Sequence, residues 1–194
     1  MFSVSVDRGH GRETPGKGSP DGVFKEWAFN ADVAEIICES LAAKGVNCVN
    51  IVTTDDDMPL KERVKIINAL AKKFAGHIHI SLHTNAAGMG DRWYDARGWQ
   101  VHTCLNPSVG SRRLANCAYD EAVAKGFRTR PESPGMHFRP KNLAILRETT
   151  CPAILLEQFF MDNKEDVAYL ESPMAIYDCA EVVVNAVLKY FGIK

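Results

Sequence analysis

The chain has 194 residues, enough for one domain whose core needs no metal or disulfide staple. Its hydrophobic fraction of 46% and charged fraction of 24% are those of a globular protein. A formal net charge of -1 excludes a polyanion such as nucleic acid as the expected partner.

The predicted elements alternate strand and helix, the pattern of an α/β fold. In chain order they are a strand at 2–6, a helix at 25–44, a strand at 46–52, a helix at 60–74 and strands at 77–82 and 98–104. A helix at 108–126, strands at 143–146 and 152–156 and helices at 163–171 and 174–191 follow. The first helix carries Phe29, Val33, Ile36, Ile37 and Leu41 as one apolar stripe, the second Leu60, Val64, Ile67, Ala71 and Phe74, and the last Ile176, Ala180, Val183, Val187 and Phe191. Asp55, Asp56 and Asp57 suit the N-terminus of the second helix, and Gly45 and Gly76 suit the ends of the first two. The expected architecture is a single domain over 1–194, with a mostly parallel twisted sheet of about six strands and helices on both faces.

Segments 7–24, 84–97 and 127–142 are neither helix nor strand, and loops that long in a compact domain usually carry function. No run of about 18 apolar residues offers a membrane span. The start of the chain shows no charged n-region, apolar h-region or A-x-A site, so synthesis in the cytoplasm without a signal peptide is expected. The six cysteines include no C-x-x-C pair, which argues against a cysteine metal site.

In open α/β sheets ligands bind beyond the carboxyl ends of the strands. Three predicted strands end in residues suited to metal chemistry: the first runs into Asp7-Arg8-Gly9-His10-Gly11, the third into His83-Thr84-Asn85, and the last into Glu157. Glu26 lies within about 20° of Val33 and Ile37 on a helical wheel, so it heads the apolar stripe of the first helix. A carboxylate facing a core is costly unless a charged partner or a metal compensates it. His10, Glu26 and His83 form a three-ligand set that leaves a position open for water, as catalytic zinc sites do. Glu157 then stands as the acid/base.

Taken singly, each of these residues has a plainer role. A strand-end histidine is an ordinary polar loop residue, Glu26 suits the helix dipole, and Glu157 has Arg147 as a possible ion-pair partner. His77, His79 and His102 are expected to be structural histidines. Trp93, Tyr94 and Trp99 either meet a sugar or cover the sheet. The glycine-rich start lacks the spacing of a phosphate loop.

Four motifs in order resemble the zinc-dependent N-acetylmuramoyl-L-alanine amidases often called amidase 3. Asp7-Arg8-Gly9-His10-Gly11 resembles that family's D-x-G-H-G, and Glu26 with Asn30 its E-x-x-x-N. Leu60, Arg63 and Asn68 resemble its second-helix pattern, and Ser81 to Ala86 its S-x-H-x-N-A. Pro152 to Glu157, with Phe160 and Asn163, is similar to its P-A-v-L-v-E-x-x-F-x-x-N. Arg8 departs from the family's common proline, and Gln158 stands where a glycine-containing turn is common.

The resemblance implies one zinc per chain on His10, Glu26 and His83, with Glu157 as catalytic acid/base. It implies peptidoglycan as substrate, cut at the amide between the lactyl group of muramic acid and L-alanine, at the cell wall or in the periplasm. A phage-type endolysin fits this profile. Arg128, Arg130, His137 and Arg139, in the basic segment 127–142, are then candidate contacts to stem-peptide carboxylates. The alternatives are a zinc peptidase acting on another bond, a non-catalytic peptidoglycan-binding module and a metal-free structural domain.

Overall fold

A computed structural model describes residues 2–193. The elements are β1 (Phe2–Arg8), α1 (Glu26–Ala43), β2 (Asn47–Asn50), α2 (Leu60–Lys73), β3 (Gly76–Asn85) and β4 (Gln100–Thr103). They continue with α3 (Val109–Ala124), β5 (Arg139–Pro140), α4 (Ala144–Arg147), β6 (Ala153–Phe160), α5 (Lys164–Leu170) and α6 (Ala175–Phe191). The six strands form one sheet in the order β2-β1-β3-β6-β4-β5. β2, β1, β3 and β6 run parallel, and β4 turns antiparallel to β6. The expected α/β architecture is therefore the one observed.

Val4 and Val6 of β1, Ile78, Ile80 and Leu82 of β3, and Ile154 and Leu156 of β6 share the main core with α1, α3 and α6. Every second residue of a strand points to the other face. There α2 and α4 cover Ala153 and Leu155 with Val64, Ile67, Ile145 and Leu146. Both faces are buried, as parallel sheets require.

Beneath α2 that second face is polar. Ser5 Oγ sits 3.0 Å from His77 Nε2 and 2.9 Å from His79 Nδ1, and Ser3 Oγ sits 3.1 Å from His77 Nδ1. Burial pushes both histidines down to about 4, so they stay neutral near pH 7. They are structural, as their period-two placement suggests. His102 is likewise buried, with Nδ1 3.2 Å from the Arg139 carbonyl.

Two local expectations need correction. Residues 143–146 are not a strand: Ala144–Arg147 form the one-turn helix α4, and the fifth strand is β5, Arg139–Pro140. An apolar run of four residues fits either a strand or a helical turn, and here Ile145 and Leu146 bury against β6. Gly76 does not stop α2. The chain is already extended at Phe74, and Gly76 opens β3, whereas Gly45 does close α1 at φ 74. Asp57 does stand just before α2, where its carboxylate accepts from Arg63 Nη2 at 2.9 Å.

Candidate metal centre

Parallel order alone carries the ends of β1, β3 and β6 to one rim of the sheet. Asp7 is opposite Ser81, and His83 is opposite Glu157. Asp7 itself is structural. Its carboxylate accepts from Arg63 Nη1 and, at 3.0 Å, from Ser81 Oγ. Arg63 Nη1 also donates to the Arg8 carbonyl at 2.6 Å, which ties the end of β1 to α2.

Beyond β1 the Gly9 N–H bonds the Leu82 carbonyl at 2.7 Å. The chain then turns through His10 in the left-handed region, at φ 63. A non-glycine residue held there costs roughly 1–3 kcal/mol, strain that functional sites tolerate. The turn places His10 Nε2 3.9 Å from Glu26 Oε1, and His83 Nδ1 lies 3.2 Å from the same oxygen. Glu26, in the first turn of α1, is fully buried, and its Oε1 also accepts the Thr84 N–H at 2.9 Å. One ligand atom from each of His10, Glu26 and His83 lies within 4.8 Å of the others.

Burial raises the Glu26 carboxyl, but its hydrogen bond to His83 and the two imidazoles outweigh that and hold it below its usual range. Burial lowers His83, and the same bond to Glu26 more than reverses it. His10 is pushed down to about 4 by burial, against the pull of Glu26, so its imidazole is neutral and free to coordinate.

The donor set fits a zinc ion. Bonds of about 2.0–2.2 Å in a tetrahedron put ligand atoms roughly 3.3–3.6 Å apart, close to the observed spacings. Glu26 Oε2 is buried without a hydrogen-bond partner, which a cation would remedy.

Glu157 faces this cluster from the neighbouring strand. Among the described residues it pairs with no arginine: Arg147 binds Glu148 and Asn142 instead. Its Oε2 is buried and unpartnered, and burial pushes the carboxyl up to about 7, opposed by His83 and reinforced by Glu26. Directly after it β6 bulges, with His83 opposite Glu157 but Asn85 opposite Phe160. Phe159 takes φ 70 there, wedged edge-on against Phe127 at 4.9 Å and Tyr169 at 5.1 Å. Gln158 turns inward and donates to the Asn30 Oδ1 of α1 at 2.9 Å. The glycine-like turn that the sequence lacks is thus made by an aromatic residue.

A cavity of about 470 Å³ opens beside His10 and His83, between the start of α2 and α4. Met58, Leu60, Leu143, Ile145 and Leu155 give it an apolar wall.

The basic segment is less concentrated on the centre. Arg139 is ion-paired with Glu132, His137 stacks on Tyr119 at 4.3 Å, and Arg130 lies over the Phe160 ring at 5.0 Å. Arg128 is exposed, and its carbonyl accepts the Trp99 N–H. Among the described residues none of the four bonds to His10, Glu26, His83 or Glu157. Trp99 is a core residue, Trp93 packs against that core, and the Tyr94 N–H bonds the Asp162 carbonyl at 2.7 Å.

The family model described as N-acetylmuramoyl-L-alanine amidase matches residues 4–189. The chain belongs to that family. The endolysin of Bacillus phage SPP1 is 27% identical over 195 residues, covering 98% of this chain, and the chain spans 66% of the endolysin's length. The solved N-acetylmuramoyl-L-alanine amidase from Clostridium difficile 630 is 25% identical with a TM-score of 0.86, over 100% of this chain and 98% of that one. The catalytic domain of CwlV, an N-acetylmuramoyl-L-alanine amidase from Bacillus (Paenibacillus) polymyxa var. colistinus, is 25% identical with a TM-score of 0.84 and full coverage of both chains. Amidases of this family are generally zinc-dependent.

Gly9 is a residue whose part sequence reasoning missed, although its place in the D-x-G-H-G motif is the signal. A Cβ there would lie 2.3 Å from His83 Cε1 and 2.4 Å from its Nδ1. The movable partner is the imidazole ring, so Gly9→Ala is expected to fold but to push His83 off the cluster. Zinc affinity measured by competition with a chromophoric chelator should fall about tenfold or more. Unchanged affinity would show that the ring has room to spare.

Proposed function

We propose that this chain is a zinc-dependent N-acetylmuramoyl-L-alanine amidase domain, acting on peptidoglycan at the amide between the lactyl group of muramic acid and L-alanine. The observation that supports it most is the buried Glu26 between His10 and His83, with Glu157 in register beside them. His10, Glu26 and His83 would hold the zinc. When bound, zinc polarises the amide carbonyl and makes water a better nucleophile.

The remaining steps belong to the protein. The Thr84 N–H and the first turn of α1 fix Glu26, so the cluster does not reorganise as charge develops on the substrate. Glu157, raised to about 7, takes a proton from the attacking water and gives it to the leaving nitrogen. Its pKa near neutrality suits both halves of that transfer. Its place opposite His83 in the β3–β6 register sets its carboxylate on the cluster side of β6.

Digestion of purified peptidoglycan tests the bond. New amino termini should appear, all of them alanine, with no new reducing sugar ends, and a chelator should stop the reaction. Amino termini on another residue would instead make the chain a zinc peptidase. Reducing ends that survive chelation would overturn the amide chemistry, because glycosidases usually work with paired carboxylates.

A further inference from the structure

The alanine of the proposed substrate offers the cavity beside His10 and His83 only a methyl group, about the size of a water molecule at roughly 30 Å³. The cavity measures about 470 Å³. Met58 and Leu60 form one wall at the start of α2, Leu143, Ala144 and Ile145 the other at the start of α4, and Leu155 of β6 the floor. These walls are held apart rather than free to close. Ile145 and Leu155 belong to the second apolar core, against which Met58 and Leu143 also pack. Asn68 of α2 ties down the segment after α4, donating to the Glu148 carbonyl at 2.9 Å and accepting the Thr150 N–H at 2.8 Å.

The charged groups that border this space are already spent on one another. Each nitrogen of Arg63 donates: Nη1 to Asp7 and the Arg8 carbonyl, Nη2 to Asp57, and Nε to the Met58 carbonyl. Asp7 accepts from Ser81 with its second oxygen, and Asp57 accepts from Thr14 with its own. Two carboxylates against one guanidinium leave no cation over for an acidic group. Apart from the two histidines, what the cavity still offers a ligand is its apolar wall. A wall of that kind rewards each methylene taken from water about threefold to fourfold in affinity.

Strand register decides which part of a substrate meets that wall. Leu155 lies opposite Ser81 and Glu157 opposite His83. Two residues apart on one strand, Leu155 and Glu157 point to the same face, about 7 Å from each other. The floor of the cavity is therefore beside the carboxylate that hands its proton to the leaving nitrogen. A group bonded to that nitrogen is the one brought over Leu155, whereas the sugar on the acyl side carries hydroxyls that an apolar wall would leave unpaired. We propose that the cavity receives the side chain of the residue whose amine is released, and that the enzyme takes apolar side chains there longer than the methyl of alanine. The proposal rests on the amidase reading above and adds to it a preference at the first residue of the stem peptide.

Soluble muramoyl dipeptides that differ only in the first residue test this, with glycine, alanine, 2-aminobutyrate, norvaline or serine in that place. In wild type kcat/KM should climb about threefold per added carbon from glycine to norvaline, mainly through KM. Serine, which matches 2-aminobutyrate in size but carries a hydroxyl, should fall about threefold or more below it. Ala144→Leu adds bulk to the cavity from α4 and should reverse the order, so that norvaline is cut more slowly than alanine. Leu60→Asn, at an exposed position of the wall, should flatten the series. A wild type that cuts norvaline no better than alanine overturns the proposal, and so does a norvaline-to-alanine ratio that neither variant changes. Should wild type cut none of the peptides, the amidase reading itself fails. Calorimetric affinities of the same peptides should then still climb along the series, and level affinities would overturn the subsite.

Discussion

Glu157→Gln should lower turnover by roughly 10²–10⁴-fold while the protein keeps its zinc and its fold. The carboxamide fills the same space, so packing along β6 is preserved, but it cannot accept a proton from water. The other nearby carboxylates are engaged: Glu26 is committed to His83 and the Thr84 N–H, and Asp7 and Asp57 pair with Arg63. Stability should stay level or rise slightly. Among the described residues Glu157 makes no ion pair within 4.0 Å with an arginine or lysine, and its Oε2 is buried without a partner. Removing its charge therefore relieves desolvation rather than breaking a bond. Single-turnover kinetics, zinc content and a melting curve on one preparation check all three parts. Loss of zinc would make Glu157 a ligand, and near-normal turnover would remove it from the chemistry.

The placement of the cluster was legible in the sequence because parallel topology does the work. His10, His83 and Glu157 each follow or end an apolar run, and adjacent parallel strands must bring such positions to one rim. Glu26 was legible from helical phase, since a residue within about 20° of Val33 and Ile37 has to face the sheet. What lay beyond the sequence was backbone geometry that no periodicity encodes. Gln158-Phe159 reads as an ordinary continuation of a buried strand, yet Phe159 is left-handed and the strand bulges. Aromatic packing against Phe127 and Tyr169 imposes there what glycine would permit freely. The misplaced strand at 143–146 failed for the opposite reason. Four apolar residues suit both conformations, and only the space left beside α2 decides between them. The charge-rich loops were hardest. Composition singled out the 127–142 segment, but Arg139 is neutralised by Glu132.

Glu26→Ala should abolish tight zinc binding and, with it, hydrolysis. Glu26 is the anion common to both contacts within the cluster, at 3.2 Å from His83 and 3.9 Å from His10. Its loss leaves two imidazoles with no counter-charge for a divalent ion, so affinity should drop about 100-fold or more. The effect should also appear in stability. A ligand that binds only the folded state stabilises it by RT ln(1 + [L]/Kd), about 2.7 kcal/mol at 100 times Kd. Wild type should therefore melt lower after chelation and recover when zinc is returned, whereas the variant should melt at the same temperature with or without chelator. Glu26→Gln provides the control for packing, since it fills the space in α1 and still offers an oxygen to the Thr84 N–H. If the glutamine variant folds normally yet shows the same lost response to zinc, the charge rather than the shape of residue 26 holds the ion. A wild-type zinc isotherm in Glu26→Ala would take Glu26 out of the ligand set and leave its burial unexplained.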